Sequence, residues 1–155
     1  MKKYLILLLF LLSQCSGYSP IFSKNKINFY FDNIDLKSND LLNSNIKQQL
    51  NNYKFPKESK IEKQKLDIYI DSSFERIITS KDKKKNPDGF KMNLILSSIV
   101  TREDGSKLNF AYTESFNYSK SDRTEFEIKK YENVIKDNLI NNVINKLISD
   151  ILEQI

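Results

Sequence analysis

Between Leu66 and Tyr118 the chain alternates apolar and polar residues in three successive runs, and this period of two restricts the possible folds more than any other feature. In the first run Leu66, Ile68, Ile70, Phe74 and Ile78 share one face and Asp67, Asp71 and Glu75 lie opposite, which predicts a long strand over about 65–79. The second runs from Phe90 through Met92, Leu94, Leu96 and Val100, and the third carries Phe110, Tyr112, Phe116 and Tyr118. Asp104-Gly105 separates the last two runs and is a hairpin signal, because a tight turn needs the positive φ that glycine accepts without strain. SKDKKKNPDG is the turn between the first two. A sheet that is apolar on one face must bury it under another layer.

The flanking sequence supplies that layer. INFYFDNI (27–34) alternates Ile27, Phe29 and Phe31 against Asn28, Tyr30 and Asp32 and reads as a further strand. SNDLLNSNIKQQLNNYKF follows, with Ser38 or Asn39 as the N-cap, Leu42, Ile46, Leu50 and Tyr53 along one helical face, and Pro56 as the stop. From about Thr124 to Ile155, Tyr131, Ile135, Leu139, Val143, Leu147, Ile151 and Ile155 recur every fourth residue, and Val134, Ile144, Ile148 and Leu152 widen the stripe. Such a helix is about 45 Å long at about 1.5 Å per residue, so one end is expected to overhang a small sheet. The expected architecture is α+β: a four-stranded, mainly antiparallel sheet with two helices packed on one face, in the order strand-helix-strand-strand-strand-helix. A chain of 155 residues supports one such domain, placed at 27–155.

The N-terminus carries a different signal. Met1-Lys2-Lys3 is a positive start, and Tyr4 to Leu12 is an unbroken apolar run. A bilayer span needs about 20 apolar residues, so segment 1–14 reads as a signal peptide. Cys15 follows at once and is the chain's single cysteine, which excludes an intramolecular disulfide. It is the candidate lipidation site, with 15–26 as a lipidated leader. The other reading is an ordinary secretory signal cleaved just downstream, among Cys15, Ser16 and Gly17. Acyl chains contribute about 0.8 kcal/mol per buried CH₂, so two or three would hold the protein on a membrane. Ser16 after the cysteine, in place of an aspartate, favours the outer membrane.

Composition removes most catalytic chemistry. With no histidine and one cysteine, Ser-His-Asp and Cys-His pairs and most zinc sites are excluded. Three glycines provide no phosphate-cradling loop, and no nucleic-acid motif is present. No catalytic residue, metal site or cofactor is therefore expected, and the chain does not read as an enzyme. Asp67, Asp71 and Glu75 read as a solvated strand face, and the strand aromatics as core. The net charge of +5 shrinks when Lys2 and Lys3 leave with the signal. Lys81, Lys83, Lys84 and Lys85 cluster at a strand-turn-strand tip. They form either a docking point for anionic glycolipid phosphates or a charged turn that keeps a sheet edge from aggregating.

Taken together, the segment Cys15-Ser16-Gly17-Tyr18-Ser19-Pro20-Ile21-Phe22, the element order, Ser115-Phe116-Asn117-Tyr118 and the aliphatic helix from Tyr131 onward resemble the LPS-assembly lipoprotein LptE family in its alphaproteobacterial form. The resemblance implies a non-enzymatic lipoprotein, anchored to the outer membrane and facing the periplasm. It implies as partners the outer-membrane β-barrel LptD, which such proteins plug and help to assemble, and lipopolysaccharide. An auxiliary periplasmic lipoprotein of an ABC-type transport system is the other class compatible with a small exported α+β domain.

Overall fold

The computed structural model describes residues 27–38, 40–54, 63–120 and 123–155; Cys15, the segments 1–14 and 15–26, Asn39 and Pro56 lie outside them. The elements are β1 (Phe29–Leu36), α1 (Leu41–Leu50) running into a 3₁₀ turn (Asn51–Tyr53), β2 (Gln64–Lys81), β3 (Pro87–Arg102), β4 (Lys107–Ser119) and α2 (Glu125–Gln154). This is the α+β order read from the sequence. The sheet runs β1-β2-β3-β4. β1 lies parallel to β2 because the chain returns through α1, whereas β2, β3 and β4 are antiparallel neighbours joined by tight turns.

β1 is less regular than its alternation suggests. The register slips between Phe31 and Ile34, so Phe29, Phe31 and Ile34 all point inward although Ile34 is out of phase with the other two. β2 and β3 extend past the ends expected from the sequence, and the excess projects beyond the helical cover. Ile78, in phase with the core face of β2 and inside the expected strand, is also 48% exposed. Phe116 on β4 is similarly exposed.

Asp40 caps α1, instead of Ser38 or Asn39. One Asp40 oxygen accepts the Asn43 backbone N–H at 2.8 Å, and the Ser38 hydroxyl donates to the other at 2.8 Å. The sequence reading chose a neighbouring cap because all of these residue types can cap; what selects Asp40 is Asn43. That buried side chain donates to Ser38 Oγ and accepts from Ser72 Oγ on β2, which fixes the first turn of α1 against the sheet. The hydrogen bonds from Asn43 and Ser38 hold the Asp40 carboxyl below its ordinary range. A lowered folded value means that the contribution is complete above the unfolded aspartate value of about 3.9 and fades as pH falls through the folded one. Asp40→Ala is expected to cost about 1 kcal/mol near neutral pH. Asp40→Asn should retain most of the cap and lose its acid dependence. Urea midpoints measured from pH 6 to pH 2 test both.

α2 opens on a full capping box: Thr124 Oγ1 accepts the Glu127 N–H, and the Glu127 carboxylate accepts the Thr124 N–H at 2.8 Å. Ile135, Leu139, Ile140, Val143, Ile144, Leu147, Ile148 and Ile151 are buried on its inner face, against Leu66, Ile68, Ile70, Met92, Leu94 and Leu96 of the sheet and Ile46 and Leu50 of α1. Val134, read as part of the stripe, is exposed, because the helix turns relative to a strict four-residue repeat. The C-terminal end does not overhang: Ile151 is buried and the Arg102 guanidinium donates to the Gln154 carbonyl. The exposed end is the N-terminal one, where Phe126 is 78% exposed.

The other face of the sheet has no helix on it among the described residues. Lys65 pairs with Asp32 at 2.6 Å and Lys37 with Asp71 at 2.7 Å, while Asn33 donates twice to Asp67. This is the solvated face expected for Asp67 and Asp71.

Candidate functional site

The strands outrun the helices at the β2–β3 turn, and a groove of about 790 Å³ opens there between the turn and the first turns of α2. Arg76 of β2 lies at its base. The alternation of β2 places Arg76 on the core face, opposite Met92, where a free guanidinium would be costly to bury. It is satisfied by three neighbours. Its Nε donates to Glu132 of α2 at 2.8 Å and lies 3.0 Å from the Tyr118 hydroxyl, which itself donates to Glu132. Its guanidinium carbon sits 3.9 Å above the centre of the Phe90 ring.

Aromatic contacts extend the cluster. Phe90 stacks on Tyr118 at 5.4 Å, Tyr118 meets Tyr131 edge-on at 6.0 Å, and the Arg123 guanidinium covers Tyr131 at 4.5 Å. Burial, and then the hydrogen bond to Glu132, push the Tyr118 hydroxyl up, so it stays protonated and donates. Two more polar links run along the same strand and helix: Tyr112 donates to Asp150 at 2.6 Å, and Lys146 pairs with Glu114. Burial followed by the Asp150 carboxylate raises Tyr112 in the same way.

The groove is lined by Arg76, Lys120 and Lys129 on one side of the charge balance and Asp82, Asp88, Glu125 and Glu132 on the other. With the charges this mixed, it is not a pocket built for a polyanion. No group of three or more His, Cys, Asp or Glu side chains able to hold a metal occurs among the described residues.

The four lysines singled out from the sequence lie outside the groove, on the exposed turn. Lys81 ends β2, and Lys83, Lys84 and Lys85 cross to β3. Asp82 folds this turn: its carboxylate accepts the Lys84 and Asn86 N–H groups at 2.8 Å each, and its carbonyl accepts the Lys85 N–H. Lys85 has φ 68°, a left-handed conformation that costs a lysine some strain. The turn thus carries four exposed lysines, none of them in an ion pair among the described residues. The lysine run is visible in the sequence, whereas Arg76 is not singled out there. The missed signal was a charged residue in phase with Leu66, Ile68, Ile70 and Phe74.

No family model matches the sequence, and no curated protein matches it significantly. Solved structures do resemble the fold. Rare lipoprotein B from Shewanella oneidensis superposes with a TM-score of 0.55 at 14% identity, over 81% of this chain and 98% of its own. A minor lipoprotein from Acinetobacter baumannii gives 0.58 at 12% identity, over 83% and 93%. A lipoprotein B from Nitrosomonas europaea gives 0.54 at 11%, over 85% and 88%. The domain therefore has the fold of a group of lipoproteins from Gram-negative bacteria, and the match takes in 88–98% of each of them.

Proposed function

We propose that the chain is an outer-membrane lipoprotein of the LptE type, acting without catalysis as plug and assembly factor of the β-barrel LptD and as a binder of lipopolysaccharide. The observation that carries this reading is the likeness in fold to lipoproteins, over 81–83% of this chain and 93–98% of theirs. The segment from Cys15 to Phe22, directly after the apolar run, supports it and supplies the anchor; the alphaproteobacterial form rests on the sequence resemblance alone. The physics is consistent. Large outer-membrane barrels have polar interiors, and the open sheet face carries the paired Asp32, Lys65, Lys37 and Asp71 without being strongly charged in either sense, with Tyr69, Ile77 and Ile99 exposed among them.

In this reading the Lys81, Lys83, Lys84 and Lys85 turn meets the phosphates of the glycolipid as a set of point charges. The experiment is affinity isolation of the full chain from detergent-extracted envelopes, with identification of what accompanies it. A large outer-membrane β-barrel in stoichiometric amount is the expected companion. An inner-membrane ABC transporter in its place would establish the other reading. Changing all four lysines to glutamine should weaken binding to lipopolysaccharide at least several-fold and leave the barrel bound; unchanged glycolipid binding would remove the lysines from the site.

A further inference from the structure

The two edges of the sheet are unlike each other. β1 has several devices that keep an edge from pairing: it is 8 residues long, its register is broken after Phe31, it carries Asp32 and Asp35, and a bridge from Lys54 to Phe31 occupies part of its outer side. β4 shares only the charge, at Lys107 and Glu114. It runs for 13 residues without proline, its register against β3 is unbroken from Lys107 to Ser119, and no strand lies on its outer side among the described residues.

From this we infer that β4 pairs with β4 of a second copy, antiparallel, about a two-fold axis through Thr113, so that two sheets become one. The strand is complementary to itself in this register. Phe116, which is 44% exposed on the helix side, falls opposite the partner's Phe110, as an aromatic cross-strand pair. On the open side Ala111 falls opposite the partner's Ser115, and Asn109 opposite the partner's Asn117. Only Lys107 and Glu114 are charged, and neither meets a like charge; Glu114 is already held by Lys146. The exposed side chains in the middle of α2 include the uncharged Asn138, Asn141, Asn142 and Asn145, and the charged ones among them, Asp137 and Lys146, are of opposite sign. A second copy fits this edge better than an unrelated strand, because the pattern reads the same from both ends. The pairing belongs to the chain outside the proposed barrel and does not depend on that proposal.

Cysteine scanning of the full chain in native envelopes tests the register. Thr113, Asn109 and Asn117 are all exposed, so substitution leaves the core intact. Residues facing each other in an antiparallel pair have Cα atoms about 4.5–5.5 Å apart, within disulfide reach. Under mild oxidation, Thr113→Cys is expected to give a linked homodimer. Asn109→Cys alone should not, because the two copies of that position lie about 27 Å apart, at about 3.4 Å per residue. Asn109→Cys co-expressed with Asn117→Cys should link. The unaltered chain, run in parallel, reports any linkage through Cys15. Linkage of Thr113→Cys no greater than in the unaltered chain, equal linkage by Asn109→Cys alone, or linkage to a different protein would each overturn the inference.

Discussion

Arg76→Ala is expected to destabilise the domain by about 2 kcal/mol, the largest loss from any single change at the groove. The Glu132 side chain is 15% exposed and Arg76 43%, so the pair lies between a surface ion pair, worth well under about 1 kcal/mol, and a buried one whose breaking costs about 3–5 kcal/mol. Removing the arginine leaves Glu132 with the Tyr118 hydroxyl alone and takes a cation from the face of Phe90. The charges themselves are not what holds this end together. Replacing the whole cluster with apolar groups of similar size, Arg76→Met, Tyr118→Phe and Glu132→Leu together, should recover most of the loss, because no polar group is then left without a partner. Urea denaturation of the two variants decides the matter. If the triple variant is no better than Arg76→Ala, the stability at this end comes from the hydrogen bonds and not from packing.

The second large effect concerns location. In cells depleted of the proposed barrel partner, Cys15→Ser is expected to move most of the protein from the membrane pellet to the soluble periplasmic fraction, because in the proposed function the acyl chains are then the remaining tie to the membrane; no described helix is long and apolar enough to cross one. Fractionation with quantitative blotting reads this, and mass spectrometry of the mature N-terminus shows whether acyl chains sit on Cys15. A mature chain beginning at Ser16 or later would remove the anchor from the proposed function and leave the fold as it is.

The fold was largely legible because period-two and period-four patterns report directly on which side of an element is buried. The three long strands and α2 fall where Leu66–Ile78, Phe90–Val100, Phe110–Tyr118 and the Tyr131–Ile155 stripe place them. Departures occur where local pattern competes with tertiary packing. Ile78 and Phe116 keep the phase of the core yet emerge from it, because pattern fixes the face of a strand and not the reach of the helix above it. Asp40 outcompetes its neighbours as cap through Asn43 and Ser72, and Ser72 lies on another element. The groove was illegible for the same reason: Arg76, Phe90, Tyr118 and Glu132 come from three strands and a helix, and only the off-pattern charge at Arg76 announced it.

The one parallel pair in the sheet bears on how the molecule comes together and how it comes apart. β2, β3 and β4 close through short local turns, whereas Phe29 meets Gln64, 35 residues later in the chain. Closing that longer loop costs more entropy, and parallel ladders give slightly less back per residue. The meander is therefore expected to assemble first, with β1 and α1 docking last and opening first, which hydrogen exchange checks as earlier loss of protection in β1 than in β3. Because β1 is the strand next to the N-terminal segment, any load carried by the residues before Ile27 is delivered to the weakest seam of the sheet, while the strands that frame the groove stay clamped.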